Sequence, residues 1–287
     1  MIKPGMKKII LLNVFCLFVN MTLSQNNYWN FQSPYNLSLK KEVITGGISL
    51  SIFFVGSFIE QHENLPPFET GSFTLEEINR INFVDRGVAG RWDLDAQATG
   101  IIFRKASKIS ASIGLALLPG DLKTRGSLCL IFLEGYLLMQ GVTSFVKGTT
   151  DRYRPFTYLN LDQIDKMETE SKEKFLKAVK GDDIEDSFFS GDASSTAYSL
   201  IFFAKVFNDY FSDSNWKYGV WGLSITGTTL QAYFRAKSGR HFPTDVIVGS
   251  LVGGSLGFLI PYLHKRTQEQ RLSLNPGSNG LSLTYKF

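Results

Sequence analysis

Six apolar segments, near residues 43–59, 109–120, 126–146, 193–204, 218–234 and 246–263, leave this chain few folds to choose from. Each is dotted with Gly, Ser and Thr and lacks the period-2 alternation of a half-buried strand, so each predicts a helix. With 287 residues, 44% of them apolar, the chain can bury a sizeable core between such helices. The expected fold class is all-α, a bundle of about six core helices. A polar helical insertion and a short C-terminal β-hairpin or tail complete the expectation.

The connectors sharpen it. After the first segment comes a polar loop with Pro66 and Pro67, then a short helix from about Thr74, where an N-cap is followed by Glu76 and Glu77 in the first turn. Residues 156–188 are polar and rich in Lys and Glu, which predicts a solvent-exposed insertion, helical over 166–180. Residues 272–287 alternate apolar and polar around Pro276-Gly277-Ser278-Asn279-Gly280, a hairpin signal or a tail. The expected organisation is a signal over 1–24, an N-terminal segment over 25–104, the bundle core over 105–265 and a C-terminal tail over 266–287.

The start of the chain reads as an export signal. Lys3, Lys7 and Lys8 precede an apolar stretch over 9–19, and Thr22-Leu23-Ser24 offers small residues ahead of Gln25. The competing reading is an uncleaved anchor, and either one places the chain in the cell envelope. Only 246–263 has spanning length without a charge, and mean hydropathy is −0.01, low for a six-span protein. Lys123 with Arg125, and His264-Lys265-Arg266, fit cytoplasmic flanks, whereas Lys40-Lys41 conflicts with a cleaved signal. The balance favours a membrane protein, with a soluble exported or periplasmic bundle as the alternative. A net charge of +4 gives no basis for a nucleic-acid partner, and two cysteines build neither a disulfide framework nor a thiolate metal cluster.

Chemistry concentrates at three helix ends. The first cluster runs from Lys147 to Arg154 and Pro155, the second is Ser187-Phe188-Phe189-Ser190-Gly191-Asp192, and the third runs from Arg235 through His241 to Asp245. Lys147 and Arg154 lie seven apart, so two helical turns would place a point charge and a planar guanidinium on one face. Ser190 and Gly191 at a helix start offer a hydroxyl and backbone N–H groups to an anion. Arg235 adds a third cation, which suits a phosphoryl transition state. His241 and Asp245, four apart with Pro243 between them, can meet if Pro243 opens the last helix. A carboxylate on one ring nitrogen would fix the tautomer and leave the other nitrogen to attack phosphorus, giving a phosphohistidine.

The three clusters resemble those of the type-2 phosphatidic acid phosphatase and vanadium haloperoxidase superfamily, whose pattern is K-x6-R-P, then P-S-G-H, then S-R-x5-H-x3-D. The first spacing matches in full at Lys147, Arg154 and Pro155; the third matches at Arg235, His241 and Asp245, with Phe234 before the arginine. The resemblance covers residues 105–263, in the family's order. It implies that His241 is the nucleophile, Asp245 its orienting partner, and Lys147, Arg154, Ser190, Gly191 and Arg235 the phosphate ligands. It also implies a phosphomonoester or pyrophosphate substrate, a phosphorylated small molecule or lipid, with no metal and no cofactor. The second cluster departs, with Phe189-Ser190-Gly191-Asp192 where P-S-G-H is expected. The family's missing His protonates the leaving oxygen, a step worth roughly 10²–10⁴ in rate. Asp192 would replace it only with a pKa raised well above the carboxylate range. The expectation is a slowed phosphatase, one restricted to good leaving groups, or a phosphate-binding scaffold; a vanadate-dependent haloperoxidase ranks last. Outside the clusters, Arg152 and Arg240 read as solvated, His62 and His264 as surface residues, and Glu134 as a core hydrogen-bonding partner.

Overall fold

The structure is a computed structural model that describes residues 33–61, 70–71, 73–181, 183–266, 272–277 and 280–285. Ten helices carry the described chain: α1 (Leu39–Gln61), α2 (Leu75–Arg80), α3 (Phe83–Arg86), α4 (Leu94–Ala116), α5 (Leu122–Lys147), α6 (Leu161–Asp165), α7 (Thr169–Val179), α8 (Gly191–Tyr210), α9 (Trp216–Lys237) and α10 (Pro243–His264). All six apolar segments are helices, as the missing strand alternation requires. The second begins at Leu94, well before its apolar run, because Arg104, Lys105 and Lys108 interrupt the signal there. That helix therefore runs across residue 105. The export signal and His62 lie outside the described residues. For the C-terminus the structure gives only backbone, with Leu272–Gly277 antiparallel to Gly280–Tyr285; the side chains lie outside the described residues, and the hairpin stays an expectation.

Local chemistry explains the boundaries. Thr74 caps α2 through a capping box with Glu77, as its spacing suggests. Asp93, Asp121 and Ser190 cap α4, α5 and α8, each accepting a bond from a backbone N–H of the first turn. Pro243 opens α10, where its missing N–H costs nothing.

α8 is the hub. It buries Ala193, Ala197, Tyr198, Phe202 and Val206 against α4, α5, α9 and α10. Its tightest partner is α10, which runs parallel to it. Gly249, Gly253 and Gly257, spaced one turn apart, face the carbonyls of Ser190, Ser194 and Tyr198 in turn. A Cβ added at Gly249 would come 2.5 Å from the Ser190 oxygen, one at Gly257 2.7 Å from the Tyr198 oxygen, and one at Gly253 closer still. Only glycine lets the two backbones approach this far. Gly56 of α1 and Gly141 of α5 meet backbone in the same way.

The insertion departs from the expected solvent-exposed segment. It folds into a short 3₁₀ turn (Pro155–Tyr158), α6 and α7, and buries Phe156, Leu159, Ile164, Phe175 and Val179 with Ile184 in a second small core beside Trp92. Its Lys and Glu residues mask an amphipathic helix whose apolar face is sparse in sequence. Residues 152–154 and 184–187 then run alongside each other through Arg152 N–Glu185 O, Arg154 N–Ile184 O and Ser187 N–Arg152 O bonds of 2.8–3.0 Å.

Among the described residues, three helices, Lys41–Glu60, Leu122–Lys147 and Pro243–His264, are long and apolar enough to cross a membrane. Phe54 and Phe58 on α1, Leu223 on α9, and Leu251 and Leu263 on α10 are largely exposed, an apolar surface larger than single scattered residues would give. These features support a membrane protein.

The glycine contact yields a test with an internal control. Gly253→Ala drives a methyl into the Ser194 carbonyl, with backbone on both sides and no rotamer to relieve it. It should lower stability by about 1–3 kcal/mol. Gly254→Ala on the next face meets only Ile201 Cγ1 at 3.8 Å and should be neutral or mildly stabilising. Thermal denaturation of the purified variants separates the two.

Candidate active site

The parallel packing of α8 and α10 brings two helix N-termini to one end of the bundle. Ser190 N donates to the Asp245 carbonyl at 3.1 Å and ties the two starts together. α5 and α9 arrive at that end with their C-termini, carrying Lys147 and Arg235 in their last turns. The positive poles of two helices and several cations therefore meet in one small volume, an environment built for an anion.

His241 lies 3% exposed in the turn before α10. Its Nδ1 is 2.7 Å from the Ser187 carbonyl oxygen, which can only accept, so Nδ1 carries the proton. Nε2 keeps its lone pair and faces Arg154 Nη1 at 3.4 Å. Burial foremost, and then Arg154 and Arg235, hold the imidazole well below its usual pKa, with Lys147 adding to the effect. The ring is neutral, with its free nitrogen turned to the cations.

Asp245 does not hold that ring by the expected hydrogen bond. Its Oδ2 lies 4.0 Å from Nδ1, because that oxygen already accepts from Ser187 Oγ at 2.6 Å and from Phe242 N at 2.7 Å. The carboxylate acts one step back: it fixes Ser187, and the Ser187 carbonyl fixes His241. Arg152 pairs with the other oxygen of Asp245, bonds Asp85 Oδ2 at 2.6 Å and stacks on the Phe242 ring at 4.5 Å, so it is no solvated residue. Asp85, fully buried, accepts from Thr244 N and Oγ1 at 2.9 and 2.6 Å at the start of α10. Arg240 stacks on Trp92 and Phe156.

Lys147 and Arg154 do converge, though not as two turns of one helix. α5 stops at Lys147 with Gly148 as its cap, and Pro155 forces extended backbone on Arg154 (φ −72°, ψ 150°). Arg154 is held through Asp183, whose carbonyl accepts from Nε at 2.6 Å and whose Oδ2 lies 2.9 Å from the guanidinium. Lys147 sits 3.6 Å from both Glu60 and Asp186. Ser190 spends its hydroxyl as the cap of α8, accepting from Ala193 N at 3.3 Å. Gly191, next to it, would bring a Cβ 3.2 Å from Thr143.

Asp192 faces two guanidinium groups. It contacts Arg104 Nη1, and its Oδ2 is 3.1 Å from Arg235 Nε. Burial alone would raise the carboxyl's pKa, but Arg235 and Arg104 outweigh it, and the net direction is down. The raised pKa that an acid at this position needs is absent, and one expected phosphate ligand, Arg235, is paired with this carboxylate.

A polar cavity of about 240 Å³ opens beside this pair, lined among others by Arg104, Lys108, Thr143, Lys147, Gly191 and Asp192. Arg104 and Lys108, one turn apart on α4, had no motif to reveal them. The orienting carbonyl of Ser187 is backbone and carries no residue-type signal at all.

No curated protein matches this chain. A family model described as the PAP2 superfamily matches residues 128–269, the stretch that holds all three clusters. Through that stretch the chain belongs to the PAP2 superfamily, the type-2 phosphatidic acid phosphatase family, a phosphatase-type hydrolase family acting on phosphorylated substrates.

Proposed function

We propose that this chain is a membrane-associated phosphatase of the cell envelope that cleaves a phosphomonoester or pyrophosphate, lipid-linked in view of its apolar helices, through a phosphohistidine on His241. The observation that carries the reading is the orientation of one ring: Nδ1–H is committed to the Ser187 carbonyl, and the Nε2 lone pair lies 3.4 Å from Arg154 Nη1. A phosphoryl group seated on Arg154, Lys147 and Arg235, with the N-terminus of α8 beneath it, presents its phosphorus to that lone pair. Nε2 forms the new N–P bond as the P–O bond to the leaving group breaks. Water then attacks phosphorus and releases inorganic phosphate, returning the electron pair to Nε2. Asp245, Arg152 and Asp85 act as positioning residues behind Ser187.

The departing oxygen needs a proton unless it leaves as a stable anion. Asp192, ionised between Arg104 and Arg235, is a poor donor, so the enzyme favours activated leaving groups. The same pairing supports a second reading, a phosphate-binding protein without turnover, because Arg235 is neutralised by Asp192. The two readings separate on Asp192→His. If the native chain is a slowed phosphatase, it releases phosphate from an aryl phosphate, and the variant gains about 10–100-fold on an alkyl phosphate with little change on the aryl one. A native chain inert on both, with activity appearing only in the variant, establishes the second reading.

His241→Ala should reduce aryl-phosphate hydrolysis by about three orders of magnitude or more, since it removes the nucleophile itself. Residual activity near the native level would exclude His241 from that role. The pH profile follows from the lowered pKa of His241. The neutral ring is the reactive form, and it persists below the ordinary imidazole value of about 6.5. The acid limb of kcat/KM, corrected for substrate ionisation, should therefore fall below that value; a limb at or above it would contradict the buried, cation-flanked setting.

A further inference from the structure

We propose that Glu42, Glu134 and His264 form a binding site for one divalent transition-metal ion, with Zn²⁺ the best match, away from the phosphate site. The three residues come from three helices: the first turn of α1, the middle of α5 and the last residue of α10. His264 closes a helix of 22 residues that starts beside His241, so about 30 Å of helix separates the two rings. No sequence spacing links positions 42, 134 and 264. Only the fold joins them.

One donor atom from each residue lies within 4.8 Å of the other two. His264 is 2% exposed and Glu134 6%, with Glu42 at the rim. The surface position expected for His264 is thus overturned, whereas Glu134 is the buried hydrogen-bonding partner expected of it. His264 Nδ1 lies 2.8 Å from the Ile260 carbonyl, an oxygen that only accepts, so Nδ1 is the donor. That leaves Nε2 to face Glu42 Oε2 at 3.3 Å and Glu134 Oε2 at 3.4 Å. A histidine that donates one N–H to a backbone carbonyl while turning the other nitrogen to a shared point has the arrangement of a metal ligand.

Two carboxylates facing one imidazole nitrogen favour a positive charge among them, beyond what Lys41 supplies from nearby and Thr45 by hydrogen bonding to Glu134. A proton on Nε2 points along one contact at a time, and both contacts exceed the roughly 2.7–2.9 Å of a charge-assisted bond. A Zn²⁺ ion takes nitrogen and carboxylate oxygen at about 2.0–2.2 Å in a tetrahedron, which places its ligands roughly 3.3–3.6 Å from one another. The two separations from His264 Nε2, 3.3 and 3.4 Å, fall in that interval, and the two carboxylates offer oxygens within 4.8 Å of each other. Glu42 Oε1 is buried with no hydrogen-bond partner among the described residues, so this carboxylate holds a second oxygen in reserve. The ammonium of Lys41, next in the chain, is engaged by the Leu263 carbonyl. An imidazole nitrogen with two carboxylates suits Zn²⁺, whereas Mg²⁺ and Ca²⁺ prefer all-oxygen sets. The ion would fasten α1 to α5 and α10.

The experiment uses the full chain, purified in detergent, freed of its affinity tag and treated with chelator. After Zn²⁺ is added and excess removed, about one ion per chain should remain by elemental analysis, and Tm should rise by several degrees. Mg²⁺ at the same concentration should give neither effect. Glu42→Gln, at the rim and near-isosteric, should fold with the Tm of the metal-free native chain and lose both responses, as should His264→Gln. Because both variants leave the phosphate site intact, phosphate release serves as a check on folding. A native chain that retains no Zn²⁺ and shows no shift would overturn the proposal in favour of a proton alone. Unchanged Zn²⁺ retention in Glu42→Gln would overturn it in favour of adventitious binding, even if His264→Gln fails to fold.

Discussion

The glycine-mediated contact between α8 and α10 is the constraint on which the site depends. Three glycines spaced one turn apart let α10 lie directly on the carbonyls of Ser190, Ser194 and Tyr198. The two helices then run parallel with their starts level, and Ser190 can bond the Asp245 carbonyl. A bulkier residue on that face would separate the starts, and with them the Ser190-Gly191 cap and the His241 turn. Both helix dipoles point their positive ends into the same volume, and Lys147 and Arg235 offset the negative ends that α5 and α9 bring there.

Cations collected in such a place must be restrained until an anion arrives, and acidic residues do it. Asp183 holds Arg154, Glu60 and Asp186 flank Lys147, Asp192 lies between Arg104 and Arg235, and Asp85 with Asp245 holds Arg152. Removing one partner from any buried pair would strand the other charge at considerable cost. Five of these pairs sit behind or beside the expected ligands. The two at Asp192 differ, since they take a cation and the position expected of a proton donor at once.

The insertion ties chemistry to scaffold. Its small core around Phe156 and Phe175 anchors the return leg 183–187, and that leg delivers the Asp183 carbonyl to Arg154 and the Ser187 carbonyl to His241. A segment that looks like polar filler in the sequence is what orients the His241 ring. The family model's span of 128–269 contains it, whereas Asp85, Arg104 and Lys108 lie outside that span and still reach the site.

Periodicity and capping chemistry by themselves determined the six long helices and the Thr74 start, and the residues of the three clusters carried the resemblance to the family. These features are local, set by neighbours within one or two turns. The partner of His241, the state of Asp192 and the meeting of Glu42, Glu134 and His264 were decided only by the tertiary structure. His241 and Asp245 are four apart, yet a backbone carbonyl contributed by a distant segment claims the ring, since Asp245 is already saturated by Ser187 and Phe242. Asp192 sits at a helix start in any reading, but its charge state depends on Arg235 and Arg104, brought to it by packing of α9 and α4 on α8. Electrostatics and hydrogen bonding act through space, and sequence spacing reports that space only along a single helix.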